Sequence, residues 1–369
     1  MRKIYNEIIL VWNESGQSYD TVHEDSYLHD GEVYEMRRNP FDDIRKKVQG
    51  GALQGRGRDS NKKSIDEETE SKNKNTITTI GSIALDTIHT PNEIRENILG
   101  GSASYFSLAA SFFRKVNMIG VVGSDFSQEY WEIYKNFNIN IDNVEIKEGN
   151  TFRWGGKYSS DYDSRETLFT ELGVFDNYMP TLNTSIKESQ FIFLANIHPN
   201  MQMSIINQAS SKQIIILDTM NLWIDISLDE LLNVISHTDI FLLNDEEATL
   251  LTKQSSMELA ALELSKLGPE IIIIKKGSKG SYIYNKKNNS QMNIPAFPIK
   301  QIVDTTGAGD SFAGGFVGTL NNNNIIDSVI MGSAIASFTV SEFGVEGLLN
   351  INKEELNNRV KYIKSQIKE

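Results

Sequence analysis

The chain has 369 residues, 39% of them hydrophobic and 23% charged, enough for one large α/β domain with appendages or two ordinary domains, and it excludes a mini-protein or a fibre. It holds no cysteine, which removes disulfides, thiolate nucleophiles and Cys-ligated metal centres and fits a reducing compartment. A formal charge of −13 lacks the basic face a general nucleic-acid binder needs, yet leaves room for a nucleotide, whose phosphates are held by local N–H groups, a cation or two and a metal.

The opening MRKIYNEIILVWNESG has a short apolar stretch flanked by Glu7 and Glu14 and no small-residue cleavage site, so no signal peptide is expected. No apolar run approaches the ~20 residues that cross a bilayer, which places the expected location in the cytoplasm, with no membrane partner. Residues 1–38 carry β-prone pieces at Glu7 to Trp12, Thr21 to Tyr27 and Val33 to Met36, separated by turn-like ESGQ and HDGE. They predict a small β-rich segment, a hairpin or meander, that could recruit a partner or add an oligomer contact. Residues 39–75, ending in QGGALQGRGRDSNKKSIDEETESKNKN, have little to bury and many mixed charges, and read as a flexible polar linker.

Residues 76–369 alternate β-rich runs (TITTIGSIA, VNMIGVVG, QFIFLAN, QIIILD, DIFLL, EIIIIKK) with helical stretches at Ser102 to Arg114, Gln128 to Asn136, Met257 to Leu267, Gly309 to Leu320 and Lys353 to Lys368. This rhythm predicts a mostly parallel sheet covered by helices, without an internal repeat. Two segments, about 87–99 and 151–175, alternate polar and β-prone residues with no helical period. They predict a small sheet that would lie as a lid over a site at the carboxyl ends of the central strands.

The segment DTTGAGDSFAGG, Asp304 to Gly315, follows strand-like Gln301 to Val303 and opens a helix. Gly307 and Gly309 flank Ala308 in a turn where backbone N–H groups and the helix dipole favour an anion. Asp310, in the first helical turn, can face that anion and accept a proton from an incoming hydroxyl, which is the pairing phosphoryl transfer needs. The bland alternative is a tight turn followed by an acidic residue favoured by the dipole.

The longer string D-T-T-G-A-G-D-S-F-A-G-G-F resembles the C-terminal signature of the PfkB (ribokinase-like) carbohydrate kinase family, and further similarities follow in the family's order between about residues 76 and 350. The resemblance implies a three-layer α/β/α sandwich with a small β-sheet lid. It also implies an ATP-dependent kinase that phosphorylates a hydroxyl of a sugar or nucleoside, with Mg2+ and room for K+, and it admits a homodimer. Asp310 would be the base, with Gly307, Ala308 and Gly309 as the anion hole. Asp86 in GSIALD, the pair Gly100 and Gly101, and Tyr105 would meet the acceptor. Asn244 and Glu247 in LLNDEEATLLT would organise magnesium through water. Lys275, Gly277, Gly280 and Thr306 would border the nucleotide. Asp304 would lie near a monovalent cation, with Ser341, Gly344 and Glu346 on its far side.

Each residue also has a plainer reading. Asp86 could be a turn or cap residue, Asn244 and Glu247 a capping box, and Lys275 and Lys276 solvated strand ends. Phe152 and Trp154 pack a lid core or stack on a ring, and Asn196 and His198 touch substrate or shape a turn. Tyr105 stands where ribokinases, fructokinases and adenosine kinases usually carry the Asn of G-G-x-x-x-N, which leaves an adenosine-kinase-like nucleoside kinase as one alternative. A non-catalytic ligand-binding protein of the same fold is another. His23, Glu24, Asp25, His29 and Asp30 lack metal-site spacing. No Walker A sequence and no G-x-G-x-x-G after the first strand support other nucleotide folds.

Overall fold

The computed structural model describes 9–13, 18–22 and residues 75–367 apart from 161, 163, 183–188 and 321–323. Strands β1 (Ile9–Asn13) and β2 (Ser18–Val22) pair antiparallel, Ile9 opposite Val22. The other pieces expected within 1–38, the linker 39–75 and the cluster His23 to Asp30 lie outside the described residues.

In chain order the next strands are β3 (Thr76–Ile80), β4 (Ala84–His89), β5 (Ile94–Gly100), β6 (Lys115–Gly123), β7 (Asn140–Lys147), β8 (Phe152–Tyr158) and β9 (Arg165–Glu171). There follow β10 (Phe191–Leu194), β11 (Ile214–Leu217), β12 (Ile240–Asn244), β13 (Ile271–Lys275), β14 (Ser281–Asn285) and β15 (Ser290–Ile294). Nine of them form one sheet in the order β15-β14-β13-β12-β11-β10-β3-β6-β7, and four form a smaller sheet, β5-β4-β8-β9. From β7 to β13 the large sheet is parallel; β14 and β15 extend it antiparallel.

Successive strand residues feed opposite faces, as the two-residue period demands. Phe193, Ile240 and Leu242 enter one core with Phe106, Phe312, Phe316 and Ile335 from the covering helices. Leu194, Phe241 and Leu243 enter the other with Ile205, Leu231, Ile235 and Leu264. Helices on both faces of a parallel sheet give the expected ribokinase-like three-layer sandwich. Among the described residues no helix is long and apolar enough to cross a membrane.

The run TITTIGSIA is not one strand. It ends β3 at Ile80 and restarts at Ala84 in the small sheet, because a side chain at Gly81 would press on Ser102, Ala103 and Ala195 where the chain passes from one sheet to the other. Gln301 to Val303 is not a strand either; Val303 N–H bonds the Val340 carbonyl in a loop. The expected helices keep their places with small shifts at the ends, Ala308–Thr319 and Met257–Ser265 among them. The small sheet meets the main body through Ile88, Tyr158 and Phe343.

Phe193 lies at the centre of the first core, its ring stacked on Phe106 at 3.9 Å with the planes 9° apart. Phe193→Ala should destabilise the chain by about 3–5 kcal/mol, read as a drop in the urea unfolding midpoint at constant slope.

Candidate active site

In the large sheet the strand order turns at β3. Strands β6 and β7 run to one side and β10 to β13 to the other, so the carboxyl ends beside β3 and β10 form the crevice where such sheets bind ligands. The helix Ala308–Thr319 begins there on Gly307, whose φ of 70° lies in the left-handed region and whose cap carries no side-chain hydrogen bond. The first turn thus presents its end to the crevice without a side chain across it. Tyr105 is 1% exposed and lays its ring against Gly307, where any Cβ would overlap it. Asp310 is half-buried in that first turn. Burial first, then the nearby Asp218 and Asp86, push its pKa up to about 8 against the pull of Lys275.

On the small-sheet side, Asp86 is 3% exposed with its carboxylate seated on Gly100, where a Cβ would overlap it, and it accepts the N–H of Gly101. Gly101 has a φ of 91° and no room for a side chain between Ser82 and Ala84. Burial and the charge of Asp304 raise Asp86 to about 7, while Gly101 and Arg165 work against them. Trp154 is the register partner of Asp86, so both leave the same face of the small sheet. Its ring covers Gly156, and the guanidinium of Arg165 lies 5.0 Å from its centroid. Tyr158, two residues on, bonds Thr306 through its hydroxyl at 2.7 Å and so ties the small sheet to the loop before Gly307. Asp304 is a staple: Oδ1 accepts Thr306 N–H at 2.8 Å and Oδ2 accepts Gly344 N–H at 3.0 Å.

The opposite end of the crevice is built from β11, β12 and β13. Asn244 and Glu247 form a reciprocal capping box, Glu247 N–H to Asn244 Oδ1 at 2.8 Å and Asn244 N–H to Glu247 Oε2 at 2.7 Å. Lys275, ending β13, bonds both oxygens of Asp218 at 2.6 and 2.9 Å. Its ammonium would lie 3.1 Å from a Cβ on Gly309, so it borders the helix terminus. Lys276 instead turns outward to Asn293 at 2.6 Å. Gly277 has a φ of 54° and open space around it, whereas Gly280 is required by the close passage of the Ile294 carbonyl.

Among the described residues no three His, Cys, Asp or Glu side chains are grouped to hold a metal directly. The environment nonetheless suits a divalent cation held through water. Glu247 is buried, its pKa is raised by burial to about 8, and Glu247 and Asp218 together face the single charge of Lys275.

Other expected residues stand elsewhere. Glu346 pairs with Arg95 at 2.6 Å, and Ser341 bonds back to Ser337. Asn196 is engaged with Trp223 and Met220, His198 caps the helix Pro199–Gln208, and Phe152 packs on Phe175. Three residues of the crevice escape sequence reasoning. Asp218 had a signal, because it directly follows the apolar strand β11, whereas Asp86, expected to end the first strand, lies inside β4 of the small sheet; Tyr158 and Arg165 sit in the small-sheet segments, which carry no motif.

The profile of the pfkB family carbohydrate kinase matches residues 76–351. A cytidine kinase of Thermococcus kodakarensis is 27% identical over 249 residues, 65% of this chain and 87% of its own. Among solved structures, a Burkholderia thailandensis nucleoside kinase in complex with inosine is similar at a TM-score of 0.64 and 17% identity, over 79% of this chain and 99% of that one. An Arabidopsis thaliana ribokinase complexed with ribose and ATP aligns at 0.64 and 18%, over 78% and 99%.

The raised carboxyls carry a cost. Asp86, Asp310 and Glu247 keep protons in the folded chain that the unfolded chain has released, so the stability they contribute is present below the ordinary carboxylate range and lost as pH rises through about 7 to 8. The melting temperature of the ligand-free protein should therefore fall from about pH 5 to about pH 8 and level off above it, and Asp310→Asn should flatten that fall; a rise over this interval would contradict the assignment.

Proposed function

The chain belongs to the pfkB family of carbohydrate kinases and is a phosphotransferase acting on a hydroxyl group; from that premise we propose that it passes the γ-phosphoryl group of ATP to a hydroxyl of a nucleoside, with Asp310 as the proton acceptor. The observation that carries the reading is the meeting of three things at one helix end: the glycine-capped terminus, the Lys275 ammonium beside Gly309, and the Asp310 carboxyl.

Asp310, held near 8 by burial, is matched to proton transfer near neutral pH. The N–H groups of Gly307 and Gly309 would face the charge on the transferring group, while that of Ala308 bonds the Thr305 carbonyl at 3.3 Å, in a site whose burial strengthens every such interaction. Asp86, anchored by Gly100 and Gly101, is available to hold acceptor hydroxyls. Asn244 and Glu247 would hold Mg2+ through water, and that ion, when bound, would neutralise phosphate charge. The small sheet, tied to Thr306 by Tyr158, excludes water that would otherwise compete for the phosphoryl group.

Two features favour a nucleoside over a bare sugar. The stacked pair Trp154 and Arg165 adds a flat surface beside Asp86, suited to a base once the ribose is held. The relative from Thermococcus kodakarensis is a cytidine kinase.

Consumption of ATP with a panel of nucleosides and sugars tests the reading. Turnover should be greatest with a nucleoside, and ATP binding with no turnover on any member would instead indicate a non-catalytic ligand-binding protein. Asp310→Asn should lower kcat by about 10²- to 10⁴-fold with ATP affinity retained in calorimetry; a near wild-type rate would remove Asp310 from its role. Trp154→Ala should raise KM for the nucleoside on the order of tenfold and leave that for free ribose in place. Equal effects on both would sink the base platform.

A further inference from the structure

The crevice holds one nearly enclosed ammonium and three carboxylates whose charges act on it, Asp218, Glu247 and Asp310. Lys275 is nearly enclosed, with a side chain 15% exposed against 4% for Asp218. Asp218 is held from its own side: its backbone N–H bonds the Leu194 carbonyl at 2.9 Å, its carboxylate accepts Thr219 N–H at 3.0 Å, and its carbonyl accepts the buried Gln202 side chain at 3.2 Å. The carboxylate is thus fixed at the ends of β10 and β11, and the flexible partner is the lysine. Across the ammonium from Asp218 stands Gly309, with Asp310 the next residue. An unfastened lysine there would be drawn to the charges that remain around it, Glu247 and Asp310, because the Coulomb attraction of a buried pair is large and a buried unpaired ammonium is costly.

We propose that Asp218 is a positioning residue that fastens Lys275 at the Gly309 turn and apart from Asp310, so that the ammonium meets the incoming phosphoryl oxygens while the base stays free to take the proton. The inference rests on the phosphoryl-transfer reading above and assigns Asp218 a part in it. Two consequences follow from one geometry. The fastened ammonium adds a positive charge to the anion hole, where bidentate restraint keeps it from rotating away. The same restraint leaves Asp310 under the influence of Asp218, Asp86 and the nearby Tyr105 as well as Lys275, rather than locked in an ion pair with the lysine.

Asp218→Asn and Lys275→Met separate these consequences, because they remove opposite charges from the surroundings of Asp310. In Asp218→Asn the lysine is freed toward Asp310 and Glu247. The acid limb of the kcat/KM profile should move to lower pH, kcat should fall about tenfold or more, and calorimetric ATP affinity should be kept or improved, since a negative charge near the phosphates is gone. In Lys275→Met the acid limb should move to higher pH and ATP affinity should weaken about tenfold. Acid limbs that stay in place in both variants, or an Asp218→Asn enzyme that loses ATP affinity and kcat together, would overturn the proposal and leave Asp218 a structural residue.

If Asp218→Asn does not fold, the double variant Asp218→Asn with Lys275→Met, which removes both members of the ion pair together, carries the test. ATP affinity weakened about tenfold supports the placement of Lys275, and unchanged affinity overturns it. Because ATP binding is measured without acceptor, these outcomes stand apart from the wild-type acceptor panel, whose failure would count against the kinase reading itself.

Discussion

Lys275 is the one ammonium beside Asp218, Glu247 and Asp310 at the carboxyl edge of the described sheet, with buried Asp86 and Asp304 on the small-sheet side of the same crevice, and the layout follows from that shortage of positive charge. In each carboxyl the leading effect is burial, which disfavours the ionised form. The chain meets the demand locally. Asp304 takes two backbone N–H groups, Asp86 takes Gly101 N–H, Glu247 takes Asn244 N–H, and Asp218 takes the lysine. Asp310 alone has neither a partner side chain nor a staple of this kind, only its own N–H. It is the carboxyl left over, its proton held by burial and neighbouring carboxylates against the pull of Lys275.

Glycine is the means by which these groups come close. A carboxylate rests on Gly100, an aromatic ring on Gly307 and an ammonium beside Gly309, and a side chain at the first two would displace what lies there. The small sheet uses the same device twice in neighbouring residues, Gly155 under Phe169 and Gly156 under Trp154, so that rings lie flat against one strand. The consequence is a crevice walled by backbone and rigid rings, with few flexible side chains to reorganise when charge moves.

Much of this was legible in the sequence, and the limits are physical. The string from Asp304 to Gly315 is legible because a helix that starts on a left-handed glycine against a buried ring allows few alternatives. The alternation of apolar runs and helices likewise predicts the sandwich. Asp218 was hidden because an Asp ending a strand is common, and only the approach of Lys275 from β13, 57 residues away, gives it meaning. Tyr158 and Arg165 come from segments where polar alternation predicts a sheet but cannot say which face looks inward. Asn244 and Glu247 were read as either a cap or a metal-organising pair, and the capping box is formed; it leaves each side chain only part of its hydrogen-bonding capacity for a hydrated ion. Glu346 followed the motif's spacing, but Arg95 on β5 offers it a closer charge.

Tyr105 shows how one substitution in a motif can change which neighbour a residue serves. An asparagine at that place would be short enough to leave the space above Gly307 open. The tyrosine fills it, buried and with its ring face on the glycine, so the left-handed conformation at 307 and the ring at 105 require each other. The turn at Gly307 is thereby propped by the Tyr105 ring and bordered at Gly309 by the Lys275 ammonium. Its two supports come from opposite halves of the crevice, one from the helix after the Gly-Gly pair and the other from β13. A displacement of either support reaches Asp310 through a turn only three residues long, because the ring and the ammonium both abut the backbone that leads into it.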